Sequence, residues 1–209
     1  MNSLALRDKF RVSLESKAGA YGVTLSAEAM AGLVRYYELL SVWNSRVHLV
    51  APCTPQEFAV RHVLESLTLL KYLPADTSLA EVGAGAGLPI IPCLIAKPDL
   101  RGILIEASQK KAVFLREALT TTGTAARASV INERFEKVDP PQVDFVSCRA
   151  LDRFDDMLLH LVAWAPAQST LLLFGGKRLG PRIADAGFKV TEELMPNSKN
   201  RFLFVVRKP

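Results

Sequence analysis

Along the first third of the chain, apolar positions recur at helical spacing. Leu6, Phe10 and Leu14 fall at i, i+4, i+8, and Met30, Leu33, Tyr37 and Leu40 at i, i+3, i+7, i+10, each series forming one stripe. A third helix is marked by its start, where Thr54 stands as N-cap, Pro55 takes the first helical position and Glu57 completes a capping box. It is expected to run from about Pro55 to Tyr72 with Val63, Leu67 and Leu70 facing inward, until "LPADTS" breaks it. From Leu79 the pattern changes to short apolar runs, "LAEV", "GILIEA", "ARASVI", "VDFVSC" and "STLLLF", separated by helical stretches. Strands that alternate with helices pair in parallel and are covered on both faces. Two further runs, around Gly187 to Glu193 and Arg201 to Lys208, are joined by "LMPNSKN", which leaves no room for a helix. A hairpin there adds an antiparallel strand. The expectation is an α/β fold: a mostly parallel seven-stranded sheet with an antiparallel last strand over residues 75–209, preceded by a helical extension over residues 1–74.

The stretch "EVGAGAGLPIIP" lies at the turn from the first strand to the next helix. In such sheets ligands sit outside the carboxyl ends of the strands, and this turn is the usual cradle. Gly83, Gly85 and Gly87 permit positive φ and expose bare backbone, while Pro89 and Pro92 start the following helix. A dinucleotide fingerprint has its third glycine five residues after its first; here Leu88 occupies that place. A bulky residue and two early prolines make a poor pyrophosphate nest and suit a ligand without phosphates. S-adenosylmethionine is such a ligand, needing close backbone approach and a carboxylate for its ribose hydroxyls. Glu106, 19 residues past Gly87 at the end of the second strand, stands where that carboxylate belongs. After the third strand, Phe135 and Glu136 offer an apolar wall and an acceptor for adenine, or else a core residue and a solvated acid. Arg149, just past the fourth strand, requires an anionic or planar partner, either substrate or a nearby acid such as Glu136.

Composition narrows the partners. The 209 residues suffice for one ordinary domain with a small appendage, and 26 basic against 21 acidic residues give a charge of +5, which leans toward a polyanion. Lys110, Lys111, Lys177, Arg178, Arg182 and Arg201 are the candidates for RNA phosphates. Cys53, Cys93 and Cys148 form no CxxC pair, so neither a disulfide framework nor a zinc site is indicated and a reduced cytoplasmic setting fits. His48, His62 and His160 share no metal-ligand spacing and read as structural, so no metal is expected. The first twenty residues carry scattered charges unlike a signal peptide, and no apolar run reaches the roughly 18 residues of a membrane span.

With these residues placed, the chain resembles the bacterial small-subunit ribosomal RNA guanine-N7 methyltransferases, also called the glucose-inhibited division protein B family. The resemblance covers nearly the whole length through "YYELLSVWNSRVHLV", "RHVLESL", "EVGAGAGLPIIP", "LIEASQKKAVFLREAL", "NERFEKV", "SCRALDRF" and "RFLFVVRK". It implies a helical extension on a Rossmann-like methyltransferase domain, S-adenosylmethionine as cofactor, and methylation of one guanine in ribosomal RNA of the small subunit. Separately from the resemblance, a monomer is expected. Carried over by position, the cofactor contacts fall on Gly83, Leu88, Glu106, Ala107, Ser108, Phe135, Glu136 and Arg149, with Gly85 and Gly87 in the same loop. The chain departs from the family pattern at Ile90 (usually glycine), His48 (asparagine), Glu65 (aspartate) and Phe174–Gly175 (lysine-glycine). If that lysine touches RNA, Lys177 or Arg178 must substitute.

Guanine N7 has an in-plane lone pair and needs no general base, which matches a sequence offering no His–Asp or Cys–His pair at adjoining loops. Arg149 is then expected to orient the base or a flanking phosphate. Two other classes stay open: a methyltransferase acting on a metabolite or protein, and a catalytically silent RNA-binding assembly factor. A nicotinamide oxidoreductase is disfavoured by Leu88.

Overall fold

Thr54 begins its helix as the sequence predicts. In the computed structural model, which describes residues 3–149 and 154–208, Thr54 Oγ1 accepts from the Glu57 N–H at 3.1 Å. Glu57 Oε2 in turn accepts from the Thr54 N–H at 2.8 Å. Two helices precede it, α1 (Ser3–Lys17) and α2 (Ala27–Val47), the second capped by Ser26 Oγ accepting from the Ala29 N–H at 3.1 Å. At the other end of α2, His48 adopts a left-handed φ of 51°, a conformation that favours asparagine or glycine.

The third helix, α3 (55–72), is not the regular helix its periodicity predicts. It is α-helical over Pro55–Glu57, opens to π geometry over Phe58–Leu64, returns to α over Glu65–Leu67 and tightens to a 3-10 turn over Thr68–Tyr72. Val63 and Leu67 are fully buried as expected, whereas Leu70 is half-buried. π turns within α-helices cluster at functional sites.

The sheet consists of β1 (Ser78–Val82), β2 (Arg101–Ile105), β3 (Ala128–Ile131), β4 (Phe145–Cys148), β5 (Thr170–Gly176), β6 (Lys189–Leu194) and β7 (Arg201–Arg207). Their order is β3-β2-β1-β4-β5-β7-β6. The first five are parallel, and β7 runs antiparallel to both β5 and β6. The antiparallel strand therefore lies inside the sheet, with Gly176 opposite Arg201 and Thr170 opposite Arg207, and β6 forms the edge. Chain order runs outward from β1 to β3 and then returns to place β4 beside β1. A crevice forms where the order reverses, at the carboxyl ends of β1 and β4.

Helices α4 (Ile90–Ala96) and α5 (Gln109–Thr121) cover one face together with α1 to α3; α6 (Phe154–Trp164) and α7 (Leu179–Asp185) cover the other. On the first face Phe10, Tyr36, Phe58 and Phe114 belong to one continuous core with Leu79, Leu104, Leu172 and Leu203 of the strands. The Phe10 and Tyr37 rings stack with centroids 4.4 Å apart. Gly32 lets α2 approach α4 closely, since a Cβ there would meet Ile95 Cγ2 at 2.7 Å. Strand alternation then sends Ala80, Val82 and Val146 to the second core, with Leu158, Leu161 and Ile183. Among the described residues, no helix is long and apolar enough to cross a membrane.

Candidate active site

The glycine loop is built by turning the chain through left-handed backbone: φ is 69° at Gly83, 52° at Gly85 and 81° at Gly87. Two of these glycines answer different demands. At Gly87 a Cβ would meet Ile91 Cγ1 at 2.7 Å, so the residue allows the first turn of α4 to close on the loop. At Gly85 a Cβ would meet only the Gly83 carbonyl oxygen at 3.7 Å, so the space in front of the backbone is open. The loop is anchored from behind. The N–H groups of Gly83 and Ala84 donate to the Ile105 carbonyl at 2.9 and 3.0 Å, and the buried Tyr36 hydroxyl donates to the Ala86 carbonyl at 2.7 Å.

Glu106 ties the second strand to this loop. Its Oε2 accepts from the Gly85 N–H at 2.8 Å and its Oε1 from the Ser108 N–H at 2.7 Å, while Asn132 Nδ2 donates to its carbonyl oxygen at 2.8 Å. With Gly87 donating to the Ala84 carbonyl at 2.6 Å, the amides of Gly83, Ala84, Gly85 and Gly87 all have acceptors within the protein, and the one that Gly85 meets is a carboxylate. These donors are not available to a phosphate, and the charge at the loop has the wrong sign for one. Each Glu106 oxygen keeps acceptor capacity for a hydroxyl donor. These acceptors and their negative charge fit the ribose hydroxyls and cationic character of S-adenosylmethionine, and the bare backbone at Gly85 leaves room for its amino-acid end.

Loop and acid face a cleft of about 850 Å³, in the range of cofactor sites. Gly83, Gly85, Leu88, Glu106, Ala107, Phe135, Glu136 and Arg149 line it, as does Lys111. Gly87 is turned into the packing behind, and Ser108 takes part through its backbone. Phe135 is almost wholly buried, edge-to-face with Trp164 at 5.6 Å, so much of its ring belongs to the core beneath the cleft. Glu136 is exposed at the rim.

The opposite wall is α3. Arg149, expected to reach toward substrate or toward Glu136, directs its guanidinium at this helix. One terminal nitrogen donates to the His62 carbonyl at 3.3 Å and to Ser66 Oγ at 3.2 Å; the other donates to the Arg61 carbonyl and to Glu65 Oε2 at 3.4 Å. The Phe174 ring lies 5.4 Å from the guanidinium carbon. Glu65, 1% exposed, receives a second arginine, since Arg201 donates to its Oε1 through Nε at 2.8 Å and a terminal nitrogen at 2.7 Å. Arg201, expected on RNA phosphate, is thus committed to a buried acid while remaining half-exposed. The Arg149–Glu65–Arg201 triad joins the end of β4 and the start of β7 to α3 at the residue just past its π segment, an arrangement that sequence separation conceals.

His62 lies on that π segment and lines the cleft, with its ring 5.2 Å from Phe58. Burial, aided by the charges of Arg149, Arg61 and Arg201, pulls its pKa down to about 4, so the imidazole is neutral at physiological pH. His160 also lines the cleft, and His48 does not. Deeper, Glu81 on β1 is completely buried. Burial pushes its carboxyl up to about 8 against the opposing influence of Ser147 and Arg149. Ser147 Oγ donates to Glu81 Oε2, while Oε1 has no partner among the described residues.

The basic candidates lie at the same edge of the sheet. Lys110 and Lys111 open α5 after β2, Lys177 and Arg178 follow β5, and Arg201 begins β7 opposite Gly176. Arg182 is exposed on α7. Of the "SCRALDRF" stretch, Ala150 to Arg153 lie outside the described residues. The described residues contain no cluster able to hold a metal.

Solved structures share this fold. The O-methyltransferase from Bacillus cereus in complex with SAH aligns with a TM-score of 0.58 at 15% identity, covering 83% of this chain and 90% of that one. The m1A22 tRNA methyltransferase of B. subtilis aligns at 0.56 and 13% identity, covering 69% and 65%. Sequence relatives are nearer. A ribosomal RNA small subunit methyltransferase G from Xanthomonas campestris pv. campestris (strain B100) is 40% identical over 153 residues, 73% of this chain and 70% of its own. Another from Sorangium cellulosum (strain So ce56) is 36% identical over 179 residues, 82% and 74%. The family model GidB, rRNA small subunit methyltransferase G, matches residues 29–195, a span that includes the glycine loop, Glu106 and Arg149: the chain belongs to this family.

Proposed function

We propose that this protein transfers the methyl group of S-adenosylmethionine to N7 of one guanine in small-subunit ribosomal RNA. It acts as a cytoplasmic monomer, with residues 1–74 as helical extension and 75–209 as the methyltransferase domain. The observation that carries this reading is the pairing of an open Gly85 backbone with Glu106, whose carboxylate takes the place of a phosphate at the loop. Family membership supports the RNA substrate.

Gly83, Gly85 and Leu88 hold the amino-acid end of the cofactor, Glu106 its ribose, and Phe135, Glu136 and the backbone of Ala107 and Ser108 the adenine side. When bound, the cofactor supplies a methyl group on a sulfonium sulfur. Guanine N7 offers its lone pair without losing a proton, and the positive charge that sulfur gives up ends on the purine. The protein's tasks are to align the base and exclude water, effects that together can contribute several kcal/mol. Lys110, Lys111, Lys177, Arg178 and Arg182 present positive charge to phosphates at the cleft edge.

The test is to incubate the protein with labelled S-adenosylmethionine and small subunits lacking the modification, then map the methyl. Label at a single guanine N7 is expected. Label on no RNA, with subunit binding retained and calorimetry showing no cofactor binding, would establish the silent assembly factor instead. Each neutralised phosphate contact should contribute about 0.9 or less to the slope of log affinity against log salt. A salt-independent affinity would refute the RNA target.

A further inference from the structure

The residue that distinguishes the target base has to offer a donor at the cleft wall, and the obvious candidate is occupied. Guanine places O6, an acceptor, beside N7, where adenine places an amino donor. Discrimination at the reacting edge therefore needs an N–H aimed at O6 that leaves N7 open. Both terminal nitrogens of Arg149 are directed at the Arg61 and His62 carbonyls, Ser66 and Glu65. The adjacent side chain on the same wall is His62, and neither of its ring nitrogens has a hydrogen-bond partner among the described residues.

We propose that His62 is a specificity-determining residue that donates one imidazole N–H to O6 of the target guanine while leaving N7 free. This rests on the methyltransferase reading above. Three features of the wall support it. The ring is held against Phe58 on a helix whose His62 carbonyl is gripped by Arg149, so its position is fixed by the triad rather than by a mobile loop. The charged groups that act on it are Arg149 at the end of β4, Arg61 on its own helix and Arg201 on β7; burial first, and then these three cations, keep it neutral. A neutral imidazole carries a single N–H, and the field of Arg149 and Arg201 favours the tautomer whose bare nitrogen lies nearer those cations. A neutral donor also suits the product, because the methylated purine is cationic and an imidazolium beside it would oppose the charge.

The experiment uses the full chain with unmodified small subunits carrying either guanine or adenine at the mapped target position. Binding is measured by filter retention in the presence of S-adenosylhomocysteine, and methylation in single turnover. The parent should bind guanine subunits roughly tenfold more tightly than adenine subunits, the scale of one well-placed hydrogen bond. His62→Phe, which keeps a ring against Phe58 and removes the N–H, should reduce that preference to within about twofold. It should also slow guanine methylation at least tenfold while cofactor affinity by calorimetry and the melting temperature hold. His62→Gln, which retains a neutral N–H donor, should recover most of the preference, and His62→Leu replaces the Phe variant if the larger ring unsettles the helix. A folded His62→Phe or His62→Leu protein that still prefers guanine tenfold overturns the assignment. A parent that binds cofactor but methylates neither subunit fails the methyltransferase reading instead, which separates the two failures.

Discussion

Replacing Glu81 by glutamine probes the buried polar layer beneath the loop. The carboxyl moves from an ordinary 4.5 to about 8 because burial disfavours the charged form. The folded protein therefore holds a proton that the unfolded chain releases above pH 4.5. Stability contributed by this group is greatest below 4.5, declines as pH rises toward 8, and stops changing above that. Each pH unit in the middle of the window is worth about 1.4 kcal/mol and the units next to the two pKa values less, so between pH 5 and 8 this one side chain removes about 3–4 kcal/mol. For a chain of this size that corresponds to a melting-temperature difference of roughly 6–16 °C. Glutamine keeps an oxygen to accept from Ser147 Oγ and does not titrate. Its amide N–H groups need acceptors, which adds a constant offset of about 1–3 kcal/mol to the variant at every pH. The diagnostic is consequently the slope and not the offset. Urea denaturation of both proteins at pH 5, 6, 7 and 8 should show the variant gaining on the parent by about 3–4 kcal/mol across the series. A difference that stays constant with pH would falsify the protonated-carboxyl reading.

Gly87→Ala should cost about 2–4 kcal/mol in urea denaturation, because its φ of 81° is strained and Ile91 occupies the space for a Cβ. Gly85→Val should cost only about 1–2 kcal/mol of stability yet abolish cofactor binding by calorimetry, and a folded variant with parental affinity would remove the loop from the cofactor site. Arg149→Ala should lower the melting temperature by roughly 6–12 °C, equivalent to about 3 kcal/mol, with poor rescue by lysine, since the guanidinium bridges two carbonyls and a buried acid; an unchanged melt would show the triad to be inert. Thr54→Ala should destabilise by about 1 kcal/mol through loss of the capping box, read by the same melts.

Local chemistry made much of this legible from sequence. Thr54, Pro55 and Glu57 act within one turn of each other, so the start of α3 could be read directly. The glycine loop and Glu106 were equally readable because strand, turn, helix, strand and acid follow in order along the chain. The π turn at Phe58–Leu64 was not, since its residues satisfy a 3.6 period as well as any regular helix does. What distinguishes that segment is tertiary: carbonyls of Arg61 and His62 accept from an arginine more than 80 residues away. The same distance hid the partner of Arg149, where Glu65 rather than Glu136 holds the ion pair, and turned Arg201 from a surface cation into half of a buried clamp. His62 shares no metal-ligand spacing with the other histidines and so reads as structural in sequence, whereas its place on the cleft follows from how Arg149, just past β4, holds the carbonyls of α3.

The position of β7 has a consequence for how the protein is made. It emerges from the ribosome after every strand it touches, yet it belongs between β5 and β6 rather than at the rim. Until it inserts, β5 presents a bare row of backbone donors and acceptors, and Glu65 lacks the arginine that holds its Oε1. A nascent chain released just short of Arg201 would carry the whole glycine loop and still have an open sheet and an unfinished cleft wall. Completion of the site is thereby tied to the synthesis of β7, and a chain that stops before residue 201 yields a sticky product instead of a partly active one.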